Sequence, residues 1–529
     1  LKAVTPCACG ATAILGAFAC LLAAGCEHAT MPAEPEVRLG DQVFVGRYGS
    51  AQPRVAGFYG IAYAQPPIGE LRWQAPKALR ARSGRQQATA FAAGCYQDSY
   101  NTNWYRKVGA AFGADPAQFR DPPVSEDCLY LNVWTPAAAD ARLPVMVWIY
   151  GGANRSGWTF ERNYRGEQLA ARADVVVVSI AYRVGVFGFF GHPELRGQER
   201  AANVGLRDQI AALRWVQDHI GSFGGDAGNV TVFGESAGAA NIGYLMASPM
   251  ARGLFRRAIS ESGGYQMLER RTLADAEAVG AALSAALPGH PDLAGLRKLD
   301  SATILNAANS ALKDHDWGPV VDGAVVPAPF AAQEILRNTP VDLLAGTNQD
   351  EWYMYVDEDA AALAAALDAL PAAARPALGS LASVGPTVRR GHDRAVTFAN
   401  MVCPGYLMAG AVRRAGGRAW VYRFTRVRPG PGGDRLGAYH GAEIPYVFGT
   451  HDAWLATGDV DRRLTEMVQR YWSNFARSGD PNGEGLPAWP AYSESDAMIV
   501  ELGDRVGPMA APDHALCLQQ ANALYGARP

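Results

Sequence analysis

Asn229-Val230-Thr231-Val232-Phe233-Gly234-Glu235-Ser236-Ala237-Gly238 is the stretch on which the reading of this chain turns. Val230, Val232 and Phe233 are β-formers, and an Ala/Gly-rich run with helical character follows Ser236. The order is strand, sharp turn, helix, with G-x-S-x-G at the turn. A serine at the tip of such a turn takes an unusual backbone conformation. The residues two before and two after it must lack bulk, because strand and helix pass close together. The turn lifts the Ser236 Oγ above the sheet edge, where the following helix aims backbone N–H donors at any negative charge that develops. A bare G-x-S-x-G arises by chance in many chains; a β-rich run before it and a helical run after it are the context the motif requires.

The totals frame this motif. With 529 residues, 49% hydrophobic and 19% charged, the chain can bury a large core, and large α/β proteins of this length form one domain. The formal net charge is −3, with no basic stretch of the kind nucleic acid requires. No internal repeat is present. Residues 1–26 read as a signal peptide: Lys2 gives a positive start, Ala11 to Ala24 is apolar, and Ala23-Ala24-Gly25 leads into Cys26. The Leu-Leu-Ala-Ala-Gly-Cys ending resembles a bacterial lipoprotein box, which would make Cys26 a lipid anchor; the alternative is a plain secretory signal. Residues 27–36, rich in Pro and Glu, read as a tether, and 37–529 as one domain. Export is therefore expected, to the periplasm, to the outer membrane through a lipid, or to the medium. No other segment reads as apolar enough to span a membrane. Beyond the leader four cysteines remain, Cys95, Cys128, Cys403 and Cys517. An even number in an exported chain suggests two disulfides, and sequence alone allows three pairings.

Short β-rich runs fill Val37 to Gly69. A long loop comes next, from Cys95 to Cys128. Its aromatics, Tyr96, Tyr100, Trp104, Tyr105 and Phe119, either line a site or form the loop's own small core. Ser125 to Trp134 reads as a strand. Leu143 to Tyr150 and Asp174 to Tyr182 are nearly continuous in apolar residues, as strands buried on both faces should be. Asn203 to His219 has helical spacing, with Leu206, Ile210 and Leu213 on one face. The alternation gives an α/β fold with a mostly parallel central sheet and helices on both faces. Asp357 to Leu381 is alanine-rich and reads as helices of a cap or regulatory subdomain. Leu464 to Phe475 is a helix stopped at Gly479 and Pro481.

Five stretches in order, Ser125-Glu-Asp-Cys-Leu-Tyr-Leu-Asn132, Gly151-Gly152, Gly205-Leu-Arg-Asp-Gln209, Phe223-Gly-Gly-Asp226 and Gly234-Glu-Ser-Ala-Gly238, resemble the type-B carboxylesterase/cholinesterase family of α/β-hydrolases. The resemblance runs from about Val37 to near Cys517 and implies the α/β-hydrolase fold and a serine carboxylesterase. A serine hydroxyl needs a base, and in this fold the chain order is nucleophile, acid, histidine. Downstream of Ser236, the strand Val341 to Gly346 runs into a loop with adjacent acids, Asp350 and Glu351. Spacing does not choose between them; the family motif places the acid at Glu351. Of the histidines beyond it, His440 lies in a Gly-containing loop, Ala438-Tyr-His-Gly441, that resembles the family's histidine loop. The resemblance further implies an oxyanion hole from the N–H groups of Gly152, Ala153 and Ala237. It pairs Cys95 with Cys128 and Cys403 with Cys517, sets Arg72 against Glu126 as a structural ion pair, and puts Ser262 beside the acid. No cofactor and no metal is implied, and no His/Cys cluster has zinc spacing.

The chain departs from the family in ways that bear on its substrate. Ala153 stands where a third glycine is usual; it keeps the N–H but adds a Cβ on the acyl side. Asn154 and Arg155 come next, where the cholinesterase branch is often aromatic. A cation beside the hole suggests a carboxylate on the acyl group, as in di- or tricarboxylic esters such as fumonisin-type tricarballylates; the alternative is an Arg155 turned out to solvent. The choline reading is weak, because Trp104 lies near the first cysteine of its loop rather than the second. Glu235, Trp352 and Tyr353 are further candidates for the pocket wall, the two aromatics being equally readable as core. The expected partner is a small-molecule ester, and the expected reaction is hydrolysis through an acyl-enzyme. Interception of that intermediate by an alcohol would make an acyltransferase, and loss of the triad would leave a binding protein.

Overall fold

The central strands are buried along their whole length, which requires a layer of structure on each of their two faces. The structure is a computed structural model and describes residues 34–50, 52, 54–80, 82–136, 141–196, 201–264, 271–327, 341–451 and 454–525. The signal peptide, Cys26 and the tether up to residue 33 lie outside the described residues. From Pro35 onward the chain forms one unit. The expected tether ends sooner than 36, because Glu36 already opens a strand, Glu36–Leu39, in a small sheet.

The large sheet has eleven strands: β1 (Arg47–Tyr48), β2 (Ala56–Ala62), β3 (Tyr130–Thr135), β4 (Leu143–Ile149), β5 (Val176–Ile180), β6 (Gly225–Glu235), β7 (Arg257–Glu261), β8 (Asp342–Asn348), β9 (Ala419–Phe424), β10 (Met498–Leu502) and β11 (Val506–Ala510). Their spatial order is β1-β2-β3-β5-β4-β6-β7-β8-β9-β10-β11. All neighbours from β5 through β10 are parallel. The flanking strands pair antiparallel. The mostly parallel α/β-hydrolase sheet is thus as the sequence implies. The helices include α1 (Tyr100–Ala111), α2 (Val204–His219), α3 (Ala237–Ala247) and α4 (Asp459–Ser478). Helix α3 is apolar all round and buried for nearly its whole length, the pattern of a central core helix. Helices Ala360–Asp368 and Arg375–Ser383 lie in the alanine-rich stretch.

Three local expectations need correction. Ser125 to Trp134 is not one strand. Val124–Ser125 pairs with Gly94–Cys95, and β3 begins only at Tyr130. Between them the side chains take over: Asp127 N–H donates to Ser125 Oγ (3.0 Å), Arg72 grips Glu126 at 2.5 Å, and Cys128 is bonded to Cys95. The region from Cys95 to Cys128 is not simply a loop, because α1 occupies its middle. Thr102, Tyr105, Val108 and Gly109 bury one helical face. Lastly, Val388–Arg414 is long and apolar enough to cross a bilayer, contrary to expectation, yet it is mostly buried inside the protein. The sequence hides this run because Pro404 lies inside it; a π-turn at Phe398–Val402 carries the helix past the proline. The disulfide Cys403–Cys517 ties this run to the C-terminal helix His514–Tyr525.

The turn between β6 and α3 is set by contact distances. A Cβ on Gly238 would lie 2.0 Å from the Ile149 carbonyl oxygen, and one on Gly234 would lie 2.4 Å from the same atom. Both strand and helix therefore press onto the end of β4, and only glycine fits. Gly238→Ala is expected to lower unfolding free energy by about 1–3 kcal/mol, measured by urea denaturation. Gly405→Ala, on a helix with open space beside it, should stay within about 1 kcal/mol of the parent.

Candidate active site

Ser236, Glu351 and His440 all follow the carboxyl ends of parallel strands, where open α/β sheets hold their ligands. Ser236 follows β6 directly. Its backbone sits at φ 56, ψ −124, a conformation non-glycine residues rarely adopt, and its N–H donates to the Glu261 carbonyl at the end of β7 (2.9 Å). Glu351 lies three residues past β8, and His440 lies in the loop beyond β9. Ser236 Oγ is 2.8 Å from His440 Nε2, and His440 Nδ1 is 2.6 Å from Glu351 Oε2. Glu351 is fully buried and takes two more donors on Oε1: the Asn348 N–H (2.7 Å) and the Ser262 hydroxyl (2.6 Å). A carboxyl that buried needs such donors in place of the water it has lost. The neighbouring acid, Asp350, faces away. It pairs with Arg390 and accepts from the Ala438 N–H (2.7 Å). Geometry therefore puts Glu351, and not Asp350, on the imidazole.

Three further carboxyls are buried around this line. Glu235 Oε1 is 3.3 Å from His440 Nε2, the nitrogen that also meets Ser236. Burial pushes the Glu235 carboxyl up, to about 7, against the pull of the imidazole. Glu261, bonded to the Trp472 indole N–H (2.7 Å), is pushed by burial to about 8. Glu443, which accepts from the Asn348 amide, is raised well above the usual range by burial and by its acidic neighbours. For His440, burial alone would favour the neutral ring; the charge of Glu235, with the hydrogen bond and charge of Glu351, outweighs it and raises the imidazole above a free histidine.

The segment after β4 faces the serine. Ala153 and Asn154 both have positive φ, 55 and 50, so this loop is turned tightly enough to present its amides inward. No hydrogen bond is made by the Gly152 or Ala153 N–H among the described residues. Ala237 opens α3, where the helix leaves N–H groups without intrahelical partners. A Cβ on Gly152 would fall 2.2 Å from the Ser156 carbonyl and 2.5 Å from Asn101 Oδ1, so this position must be glycine.

Two chambers meet at Ser236. The smaller, about 90 Å³, is walled by Trp104, Tyr164, Glu161 and Glu235. The larger, about 740 Å³, is walled by Asn154, Tyr244, Arg271, Trp317, Trp352 and Met401. Tyr100, Ala153, Tyr355 and His440 belong to both. Of the aromatics from the Cys95–Cys128 region, Tyr100, Trp104 and Tyr105 line the chambers, and Tyr105 also packs with Phe119 against Trp454 as a local core.

Two expected pocket residues stand elsewhere. Arg155 neither meets the chambers nor turns freely to solvent: it forms an ion pair with Asp98 at 2.5 Å and lies over the Tyr100 ring. A cation already neutralised in this way has little left for a substrate carboxylate. Tyr353 is held between the guanidinium groups of Arg389 and Arg390, 3.7 and 3.6 Å from its ring centre. Tyr355 takes the place in the wall that Tyr353 was expected to fill. Trp352, in contrast, does line the larger chamber, with its ring 6.1 Å from His440. Asn154 is buried and its amide pairs with Asn241 across the chamber floor (2.8 Å). Sequence reasoning missed Tyr355, Glu161 and Arg271. Only the first carried a signal, its place four residues beyond the acid on the same loop.

Residues 37–370 and 381–515 match the model of the carboxylesterase family. Carboxylesterase 1E of Mus musculus is 33% identical over 90% of this chain and 91% of its own length. The para-nitrobenzyl esterase of Bacillus subtilis is 34% identical over 87% and 93%. Among solved structures, a thermophilic PNB esterase superposes with a TM-score of 0.78 at 31% identity, covering 92% of this chain and 99% of that one. A Geobacillus stearothermophilus carboxylesterase gives 0.77 at 31% identity, covering 91% and 99%.

The electrostatics make a signed prediction. Glu235 stabilises the imidazolium of His440, so its base form appears only as pH rises. Glu235→Gln removes that charge, lowers the imidazole pKa and should move the acid limb of the kcat/KM profile to lower pH by about one unit. A limb that stays in place or moves up would show that Glu235 does not act on His440.

Proposed function

The chain belongs to the carboxylesterase family and is a carboxylic-ester hydrolase, and on that premise we propose that Ser236, His440 and Glu351 carry the reaction. The observation that supports this most is the unbroken line from Glu351 through His440 to Ser236, at 2.6 and 2.8 Å. His440 Nε2 takes the Ser236 proton as Oγ attacks the ester carbonyl. Glu351 holds the imidazole with Nδ1 protonated and stabilises its cationic form. The tetrahedral oxyanion accepts from the N–H groups of Gly152, Ala153 and Ala237, each such donor contributing roughly 3 kcal/mol to the barrier. His440 then protonates the leaving alcohol, and the acyl group remains on Oγ. Water attacks the acyl-enzyme, His440 takes its proton, and the carboxylic acid leaves as Ser236 regains its hydrogen.

The substrates are neutral esters with one small and one large substituent, to suit chambers of about 90 and 740 Å³ on either side of Ser236. An anionic acyl group of the tricarballylate kind rested on Arg155, whose charge Asp98 occupies. Two disulfides, Cys95–Cys128 and Cys403–Cys517, support export, since such bonds persist in oxidising compartments.

Matched p-nitrophenyl esters test both parts. Ser236→Ala should lose activity by about 10⁴-fold or more; full activity in that variant would overturn the assignment. The parent should turn over the butyrate faster than the hemiglutarate, and Arg155→Ala should leave that ratio unchanged. A preference for the hemiglutarate would instead favour polycarboxylate esters.

A further inference from the structure

The loop that carries the candidate oxyanion hole does not hold itself in place. It is gripped from outside by the start of the Cys95–Cys128 region. Gln97 is buried, and its amide closes on a single residue of the loop. Its Oε1 accepts from the Gly157 N–H (2.6 Å), and its Nε2 donates to the Gly157 carbonyl (2.8 Å). The same Nε2 donates back to the Cys95 carbonyl (2.9 Å), next to the disulfide. Gly157 in turn packs on the hole: a Cβ there would lie 2.8 Å from the Gly151 carbonyl and 2.3 Å from the Tyr150 ring.

Two neighbours of Gln97 reach the same loop. Asp98 pairs with Arg155. The Asn101 N–H donates to Ser156 Oγ (2.9 Å), and its amide donates to Glu161 (3.0 Å), a buried carboxyl that also accepts from the Trp158 N–H (3.1 Å). Within the loop, the Gly152 carbonyl takes the N–H groups of both Arg155 and Ser156. Gly152 is thus fixed to Ser156, Ser156 to Asn101, and Gly157 to Gln97. Gln97 alone holds both hydrogen-bonding groups of a loop peptide position, which makes it the point where displacement would be felt first.

We propose that Gln97 is a positioning residue of the oxyanion hole, clamping Gly157 and through it the Gly151–Ala153 segment, and that the Cys95–Cys128 disulfide holds the clamp in register. Gln97 touches no substrate in this arrangement. It acts on where the Gly152 and Ala153 amides point, so its effect falls on the transition state, where the oxyanion exists, and not on substrate binding. This rests on the reading of Ser236 as nucleophile and of the Gly152–Ala153 amides as oxyanion donors.

The test compares Gln97→Met, which keeps length and removes both bonds, with Gln97→Glu, which keeps the acceptor for the Gly157 N–H. The full chain is used, with p-nitrophenyl butyrate as substrate and an alkyl trifluoromethyl ketone as a tetrahedral-adduct inhibitor. Gln97→Met should lower kcat by roughly ten- to a hundredfold with KM within about twofold, and weaken the ketone by the same factor. Gln97→Glu should fall between that variant and the parent. Cys95→Ser with Cys128→Ser should repeat the pattern more mildly. A change in KM at constant kcat, or a fall in kcat with no loss of ketone affinity, overturns the clamp. A variant that loses thermal stability but keeps kcat overturns it as well. Failure of the underlying reading shows separately: Ser236→Ala would remain active, or the ketone would not bind the parent at all.

Discussion

The main-chain carbonyl of Ile149 is the reference point of this site. Gly234 and Gly238 both press onto it, so the strand before Ser236 and the helix after it are located by one atom at the end of β4. One residue further along, Tyr150 is locked to the end of β5. The Tyr150 hydroxyl donates to the Tyr182 carbonyl (2.9 Å), the Tyr182 hydroxyl donates to the Tyr150 carbonyl (2.7 Å), and the rings stack at 4.4 Å. The next residues are Gly151 and Gly152. The candidate nucleophile and the candidate oxyanion donors are therefore measured from the same few backbone atoms, and a shift of one carries the other with it. The positive φ of Ser236 costs of order 1–3 kcal/mol, which persists because its N–H is tied to Glu261 and the turn has no room to relax.

The same economy governs charge. Four carboxyls, Glu235, Glu261, Glu351 and Glu443, are buried around one imidazole. Four bare charges in that volume would cost many kcal/mol in desolvation and repulsion. The structure separates them by their donors. Glu351 receives three, from Asn348, Ser262 and His440. Glu235, Glu261 and Glu443 each leave one carboxyl oxygen without a hydrogen bond, and burial raises all three. The imidazole therefore meets the carboxyl with the most donors on Nδ1 and the less well bonded Glu235 near Nε2, which fixes its tautomer.

How much of this is legible in the sequence depends on how far each interaction reaches along the chain. The elbow is local: its small residues and flanking β and helical runs lie within ten positions, and so the fold and Ser236 are legible there. Glu351 and His440 were legible through loop motifs that resemble a known family. Arg155 was misjudged because its partner, Asp98, lies 57 residues away in a region read as a long loop. Glu161 carried no signal, since its donors Asn101 and Trp158 come together only once α1 packs against the loop after β4. Tyr353 and Tyr355 differ by two positions in one turn, and the arginines that capture the first come from the helix Val388–Thr397. The break at residues 126–129 was hidden for the opposite reason. Its apolar alternation is right for a strand, but an ion pair and a disulfide override it.

Ala153 brings these constraints to bear on selectivity. At φ 55 an alanine is disfavoured by about 1–2 kcal/mol against glycine, yet it stands at the one residue of the hole shared by both chambers and by the candidate donors. Its methyl group narrows the passage where the ester carbon must sit, while the backbone N–H keeps its aim. Arg155 adds little discrimination by charge, because Asp98 already pairs with it. Shape at the reacting carbon is then the stronger filter. On the proposed reading, an ester would pass it by dividing its bulk unequally between a chamber of about 90 Å³ and one of about 740 Å³, and a substrate branched at both ends of the carbonyl would meet the Ala153 methyl before it met Ser236.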